Sequence, residues 1–195
     1  MTQEKNQKEA IMKTKARLIV THLCPRSCSY CCNKSKKTMD SAIEIKNLAD
    51  LKDFKEIMIT GGEPLLYQKI DVLMEELAKN NPEVKLYLYT AFYKDVLNTC
   101  MKNDNLVGIQ YTVHEKATAA DIGRFKAMQG TILLSEVFSK RALRSKRLVV
   151  HDSVSIALPI LPSAWNKIRV KSEWKPSDID CRPKEEELFI FKGEL

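Results

Sequence analysis

Three cysteines near the start of the chain have a spacing that suits an iron–sulfur cluster. They are Cys24, Cys28 and Cys31, in the pattern C-x-x-x-C-x-x-C. Three thiolates can hold three irons of a cubane cluster, which leaves the fourth iron without a protein ligand. An open iron can bind a small molecule, so the spacing predicts a [4Fe–4S] cluster that takes part in chemistry.

Zinc and unligated core thiols are the alternatives that the spacing leaves open. A structural zinc site needs four nitrogen or sulfur ligands, but Cys100 and Cys181 are isolated and the three histidines are scattered. Cys32 is a poor fourth ligand, because adjacent side chains of an extended backbone diverge. Six cysteines, four of them crowded together, also do not resemble the disulfide framework of a small secreted protein.

A diglycine turn is the second candidate for chemistry. The segment Thr60-Gly61-Gly62-Glu63-Pro64 follows an apolar run that is typical of a buried strand. Paired glycines at the end of a strand let the backbone approach a ligand closely, although an ordinary tight turn uses them too. The position of this turn, one strand and helix after the cysteines, favours the ligand interpretation.

Together the two motifs resemble those of the radical S-adenosylmethionine (SAM) superfamily. Its C-x-x-x-C-x-aromatic-C loop is matched by the three cysteines with Tyr30, and its Gly-Gly-Glu-Pro motif by Gly61 to Pro64. The resemblance implies that SAM chelates the open iron, that the turn receives the amino group of SAM, and that an electron donor such as flavodoxin or ferredoxin reduces the cluster. It also implies cleavage of SAM to a 5′-deoxyadenosyl radical. The cofactor-binding residues expected from these motifs are Tyr30, Gly61, Gly62, Glu63 and Pro64.

Two threonines are further cofactor-binding candidates by the same resemblance. Thr90 ends a predicted strand where the superfamily often has threonine, and Thr112 stands where a hydroxyl residue contacts SAM. His114 follows closely and could donate a proton or bind a carboxylate. The glycine-rich pattern that often supports adenine in the superfamily is absent at Gly130-Thr131-Ile132.

The resemblance leaves the substrate open. The run from Cys31 to Lys34 is similar to that of glycyl-radical activating enzymes, but Leu23 stands where those enzymes usually have glycine. Small deazaguanine-forming members have aspartate and threonine where this chain has Cys32 and Asn33. We therefore expect an enzyme that acts on a small or anionic substrate. The alternatives are an activase that acts on a partner protein and a non-catalytic zinc or iron–sulfur binding module.

Composition and charge indicate which partners and which compartment suit this chemistry. The net charge of +7 favours anionic partners, and part of it comes from the basic stretch between Lys140 and Arg147. No stretch approaches the roughly 20 apolar residues that a membrane span needs. The polar residues 1–8 do not resemble a signal peptide. We expect a cytoplasmic protein without a membrane segment.

Apolar runs alternate with helical patterns along most of the chain. The predicted strands are Ala16–His22, Glu56–Thr60, Val84–Thr90, Val107–Val113, Thr131–Val137 and Leu148–Leu158, the last with a break at Asp152. The predicted helices are Asp40–Lys52 with a capping box at Ser41, Asp71–Asn80, Tyr93–Lys102 and Thr118–Met128.

This alternation predicts an α/β fold with parallel strands. About six strands are fewer than the eight of a closed barrel, so we expect a partial (β/α)6 open barrel related to the TIM barrel, with a doubly wound sheet as the alternative. The expected divisions are an N-terminal tail, residues 1–15, a radical SAM core, residues 16–160, and a C-terminal extension packed on the core, residues 161–195.

Overall fold

A single sheet of eight parallel strands organises the molecule. The computed structural model describes residues 14–138, 143–173 and 185–195, so residues 1–13 of the expected tail, Lys140, Arg141 and Cys181 lie outside the described residues. The strands are β1 (Lys15–Ile19), β2 (Ile43–Ile45), β3 (Glu56–Thr60), β4 (Lys85–Thr90), β5 (Leu106–Val113), β6 (Ser145–His151), β7 (Lys167–Lys171) and β8 (Glu186–Phe191). Their spatial order is β2-β8-β1-β3-β4-β5-β6-β7.

Five of the six predicted strands are present, and together with β7 they follow the predicted arrangement. Strands β1 and β3 to β7 lie side by side in chain order, as in a partial (β/α)6 barrel, and the sheet stays open. This confirms the predicted α/β open barrel with parallel strands. Strand β8 pairs with the other side of β1, and β2 pairs with β8, so the sheet has eight strands rather than about six. Both β7 and β8 come from residues 161–195 and pair within the sheet, and the division at residue 160 stays a prediction.

Two predicted elements are wrong. Residues Asp40–Lys52 do not form one helix, because Ile43–Ile45 pairs with β8 and buries Ile45. Residues Thr131–Val137 are not a strand but the end of a long helix, which continues through Gly130. The helices are α1 (Lys36–Asp40), α2 (Ile70–Asn80), α3 (Val96–Cys100), α4 (Ala119–Phe138) and α5 (Asp152–Ser155). None of the helices in the described ranges is long and apolar enough to cross a membrane.

The two surfaces of the sheet differ in character. On the helix side Tyr111 of β5 contacts Phe125 of α4, and Phe125 stacks on Trp165 with ring centroids 6.2 Å apart. Lys146 of β6 is buried on this side and bonds to Glu136 of α4. Because side chains alternate along a strand, their neighbours point to the opposite surface, which we call the open face. It includes Lys15, Arg17, Glu56, Tyr87, Tyr89, Gln110, Thr112, Arg147, Val149 and Glu186.

Candidate active site

The cysteine loop lies at the carboxyl edge of the sheet, directly after β1. Cys24 is exposed, Cys28 and Cys31 are half-buried, and all three carry free thiols. The amide of Cys31 donates to the carbonyl of Cys28 at 3.4 Å. Cys32 takes part in a disulfide bond and contributes no free thiol. The three cysteines predicted as cluster ligands therefore carry free thiols, and their role as ligands stays a prediction.

The loop cysteines influence one another electrostatically. Burial raises the pKa of the Cys24 thiol, and charge on Glu63, Cys28 and Cys31 raises it further. Burial and Cys31 likewise raise the pKa of Cys28. Cysteine binds metal as the deprotonated thiolate, and iron would offset the mutual repulsion of the three thiolates. No group of three His, Cys, Asp or Glu side chains among the described residues is gathered around a single metal ion position.

The diglycine turn packs directly against the backbone that leads to Cys24. The amide of Gly62 donates to the carbonyl of Thr21, and the amide of Glu63 donates to the carbonyl of Leu23, both at 2.7 Å. A Cβ atom at Gly62 would lie 2.3 Å from the Leu23 oxygen, and one at Gly61 would lie 2.6 Å from the Thr21 oxygen. Contact with the cysteine loop thus requires both glycines, whether or not a ligand is bound.

Asn33 closes the same unit from the other end of the loop. Its side-chain amide donates to the carbonyl of Gly61 at 2.6 Å. The turn is thereby held by the residues before Cys24 and by a residue after Cys31. The two motifs, about thirty residues apart in the sequence, form one structural unit.

Glu63 is the buried centre of the second motif. It is 2% exposed, and burial raises the pKa of its carboxyl group. Thr90 donates its hydroxyl to Oε1 at 2.5 Å, and the amides of Leu65 and Ala91 donate to Oε1 and Oε2. Pro64 is buried and begins the short 3-10 turn Pro64–Leu66. Thr90 therefore holds Glu63 in place, and a direct contact of Thr90 with SAM stays a prediction.

Tyr30 is joined to His114 at the end of β5. The Tyr30 hydroxyl lies 3.0 Å from His114 Nδ1, and the two rings are stacked. Burial lowers the pKa of His114 to about 4 and raises that of Tyr30 to about 12. Both side chains are then uncharged at neutral pH, and the phenol can donate to Nδ1. His114 also lies 3.9 Å from the Cys28 sulfur through the same nitrogen, so it fixes the ring that precedes Cys31.

Sequence reasoning missed the ion pair that ties the loop to α4. Arg26 Nη2 lies 2.6 Å from Asp121 Oδ1, which also accepts from Arg124 at 2.7 Å. Thr118 donates its amide and hydroxyl to the other carboxylate oxygen. Burial alone would raise the pKa of Asp121, but these hydrogen bonds and the charge of Arg26 hold it below its usual value. The spacing of Thr118 and Asp121 is that of a capping box, which was the available signal.

A cleft of about 450 Å³ opens beside this group. Its lining includes Cys28, Tyr30, His114 and Asp121, and its size is in the range of small-molecule sites. Thr112 lies near the end of β5, half-buried and on the open face. The structure thus brings together the cysteines, Tyr30, the turn and Thr90, while the cofactor role of Thr112 stays a prediction.

Comparison with known proteins identifies a family for the segment that carries both motifs. Residues 18–101, which include both motifs, match the model of the radical SAM superfamily. This segment is a radical SAM domain. Members of the superfamily are enzymes that bind a [4Fe–4S] cluster and SAM, so the predicted family, enzyme class and cofactors are confirmed at the level of the superfamily.

The similar proteins include two GTP 3′,8-cyclases of Helicobacter pylori. The one from strain 26695 is 31% identical over 107 residues, which are 50% of this chain and 33% of the relative. The one from strain HPAG1 is 35% identical over 83 residues, which are 38% of this chain and 26% of the relative. The chain thus aligns with about a third or less of each relative's length.

Proposed function

We propose that the chain is a radical SAM enzyme that abstracts hydrogen from a small or anionic substrate. In this proposal Cys24, Cys28 and Cys31 hold the cluster, and the turn from Gly61 to Pro64 orients SAM. The observation that carries it is the hydrogen bond from the Glu63 amide to the carbonyl of Leu23, directly before Cys24. This hydrogen bond holds the turn beside the first cysteine. The proposed chelation of the open iron by the amino acid part of SAM requires the turn at this position.

The chain's own residues position and shelter the reacting groups. A cluster held by these cysteines would pass one electron to bound SAM, which would split into methionine and a 5′-deoxyadenosyl radical able to take hydrogen from a substrate. Tyr30 lies in the loop between Cys28 and Cys31 and is held by His114. Glu63 is fixed by Thr90 and keeps the turn rigid. Pre-organisation of this kind is what a protein contributes to the chemistry of a cofactor.

The electron donor and the cellular compartment that we propose follow from the same chemistry. A low-potential cluster needs an electron donor such as flavodoxin or ferredoxin and a reducing compartment, so we place the protein in the cytoplasm. The relatives are named for a reaction of GTP, and the net charge of +7 favours an anionic substrate here as well. No finding favours the activase alternative.

The test is reductive cleavage of SAM without the true substrate. Reconstituted protein is reduced with dithionite under anaerobic conditions, incubated with SAM and analysed for 5′-deoxyadenosine by chromatography. We expect slow formation of 5′-deoxyadenosine that is lost in the Cys28→Ala variant. If the intact, fully clustered protein forms no more product than this variant over many hours and does not bind SAM, the scaffold alternative replaces the enzyme.

A further inference from the structure

Charges on the open face are paired on one side of the sheet. Arg17 of β1 bonds to Glu186 of β8 through Nη2 at 2.8 Å and Nε at 2.9 Å. Lys15 lies 3.5 Å from Glu56 of the neighbouring strand. Two carboxylates of the open face are therefore already engaged by cations of β1.

The other side of the open face carries cations without such pairing. Arg147 of β6 lies directly opposite Lys167 of β7, and Val149 lies opposite Arg169. Neighbouring strands are about 5 Å apart and alternate residues of one strand about 6.6 Å apart, so the three cations form a compact group. Within the described part of the chain none of them forms an ion pair with a carboxylate. We call Arg147, Lys167 and Arg169 the basic triad.

Protection of a sheet edge does not account for the triad. Lysine on an edge strand prevents unwanted pairing with other chains, which would explain Lys167 and Arg169 on β7. Arg147, however, is on the interior strand β6. Burial raises the pKa values of Tyr87 and Tyr89 on β4, and the charge of Arg147 partly offsets this rise. The charge of Arg147 therefore reaches the middle of the open face. Like charges on neighbouring strands destabilise a sheet, so edge protection does not explain a cation opposite Lys167.

The triad is on the surface that meets the cofactor site. Arg169 is in one row across the sheet with Val149 and Thr112, the second threonine predicted to contact SAM. Arg147 shares the next row with Gln110 and Tyr89, and Tyr89 directly precedes Thr90, which holds Glu63. Two strand spacings separate Arg169 from Thr112, about 10 Å. A small molecule can span that distance.

We infer that the basic triad is a subsite for the phosphate or polyphosphate group of a small substrate whose remainder extends over β5 toward the cysteine loop. The inference rests on the proposed function for the reaction, but the anion site rests on the sheet alone. Guanidinium groups bind oxyanions through paired hydrogen bonds. Three cations on two adjacent strands fit a multiply charged anion better than a single carboxylate, because each unpaired cation then gains a partner.

Calorimetric titration of the reconstituted full chain with inorganic tripolyphosphate tests the subsite. We expect binding that weakens as salt increases. Replacement of Arg147, Lys167 or Arg169 with glutamine should each weaken binding about tenfold or more, equal to about 1.4 kcal/mol. Lys126→Gln is the matched control, because Lys126 is exposed on α4, on the helix side of the sheet. The affinity of this variant for tripolyphosphate should stay within about twofold of the parent.

Two further measurements keep the outcomes separate. Arg147→Lys retains the charge but not the paired hydrogen bonds, so it should bind between the parent and Arg147→Gln even if the latter folds poorly. Equal affinity in parent and triad variants, absence of binding, or much tighter binding of single-stranded RNA overturns the subsite.

The same preparations are assayed for 5′-deoxyadenosine. Triad-dependent binding without SAM cleavage refutes the proposed function alone, whereas SAM cleavage with triad-independent binding refutes the subsite alone.

Discussion

The loops after β1 and β3 and the open face of β5 to β7 are two regions of one sheet that are built by different means. In the loops, backbone atoms meet backbone atoms, as where the Glu63 amide donates to the carbonyl of Leu23. On the open face, long polar side chains such as Arg147 stand on regular strands. Backbone contact restricts which residues fit, whereas a side chain on a strand can change without moving the fold. We therefore expect the common cofactor chemistry to depend on the loops and substrate choice to depend on the open face.

The largest expected effect is in the loop cysteines. Alanine at Cys24, Cys28 or Cys31 should remove nearly all iron from the reconstituted protein, because two remaining thiolates do not hold a cubane cluster. Iron per chain and visible absorbance measure this.

Cys100→Ala is the matched control, since Cys100 is buried in α3 and burial raises the pKa of its thiol to about 12. Cys32→Ala should also retain iron. Loss of iron in the Cys100 variant, equal to that in the loop variants, would overturn the ligand assignment.

The next effect is at the diglycine turn. Alanine at Gly62 places a Cβ atom 2.3 Å from the Leu23 oxygen, so the cysteine loop must shift. Overpacking of this kind costs about 1 to 3 kcal/mol, and we expect the variant to lose iron and SAM affinity together. Iron analysis and calorimetry with SAM measure both.

The outcome at Gly62 separates two roles of the turn. Were the variant to retain full iron and lose only SAM affinity, the turn would act on the ligand and not through the loop. Gly108→Ala is a useful comparison, because its Cβ would lie 2.6 Å from the Tyr87 ring, away from the loop. It should lower stability without a selective loss of iron.

A smaller effect is expected at the ion pair between the loop and α4. Asp121→Asn removes the charged partner of Arg26 and should lower the free energy of unfolding by about 1 to 2 kcal/mol at pH 7. Asp40→Asn breaks the exposed pair with Lys36 and should cost under about 0.5 kcal/mol. Urea unfolding of both variants compares them.

The pH dependence of Asp121 has a definite sign. Its pKa is lower in the folded chain than in the unfolded chain. The stability that it contributes is therefore present above the unfolded pKa near 3.9, a rough reference value, and lost as pH falls through the folded pKa. Asp121→Asn should flatten that part of the acid limb. An unchanged acid limb would show that the pair contributes no stability.

The smallest expected effect is a gain in the stability of the fold. Gly130 lies within α4, and a Cβ atom there would meet nothing within 4 Å. Gly130→Ala should stabilise the fold by about 0.5 to 1 kcal/mol, because glycine has more backbone freedom to lose in a helix. Thermal unfolding measures it, and iron content should not change. A lower melting temperature would contradict the open surroundings of this position.

The sequence predicted the central fold well because its central strands are short apolar runs that alternate with helical patterns. Strand β3 has the predicted bounds, and β6 ends where a break was expected before Asp152. Residues Ile43–Ile45 were assigned to a helix because the capping box at Ser41 is a stronger signal than apolar and polar alternation over only three residues. Its strand depends on β8, more than 140 residues later, and such pairing leaves no local signal.

The candidate site was predicted to the extent that motifs describe it. The cysteines and the turn form contiguous motifs, so their meeting could be anticipated. The partners Arg26 with Asp121 and Tyr30 with His114 are 95 and 84 residues apart, and each residue alone is an ordinary polar side chain. Strand register, which the sequence did not define, also determines which cations share the open face.

Electron paramagnetic resonance of the reduced protein tests the central claim most directly. In the proposed site, three cysteines leave one iron of the cluster open, and SAM binds to this iron. Addition of SAM to the dithionite-reduced, reconstituted protein should therefore change the g values of the cluster signal, and the change should require an intact Gly61–Pro64 turn. A normal [4Fe–4S] signal that is identical with and without saturating SAM would contradict the account.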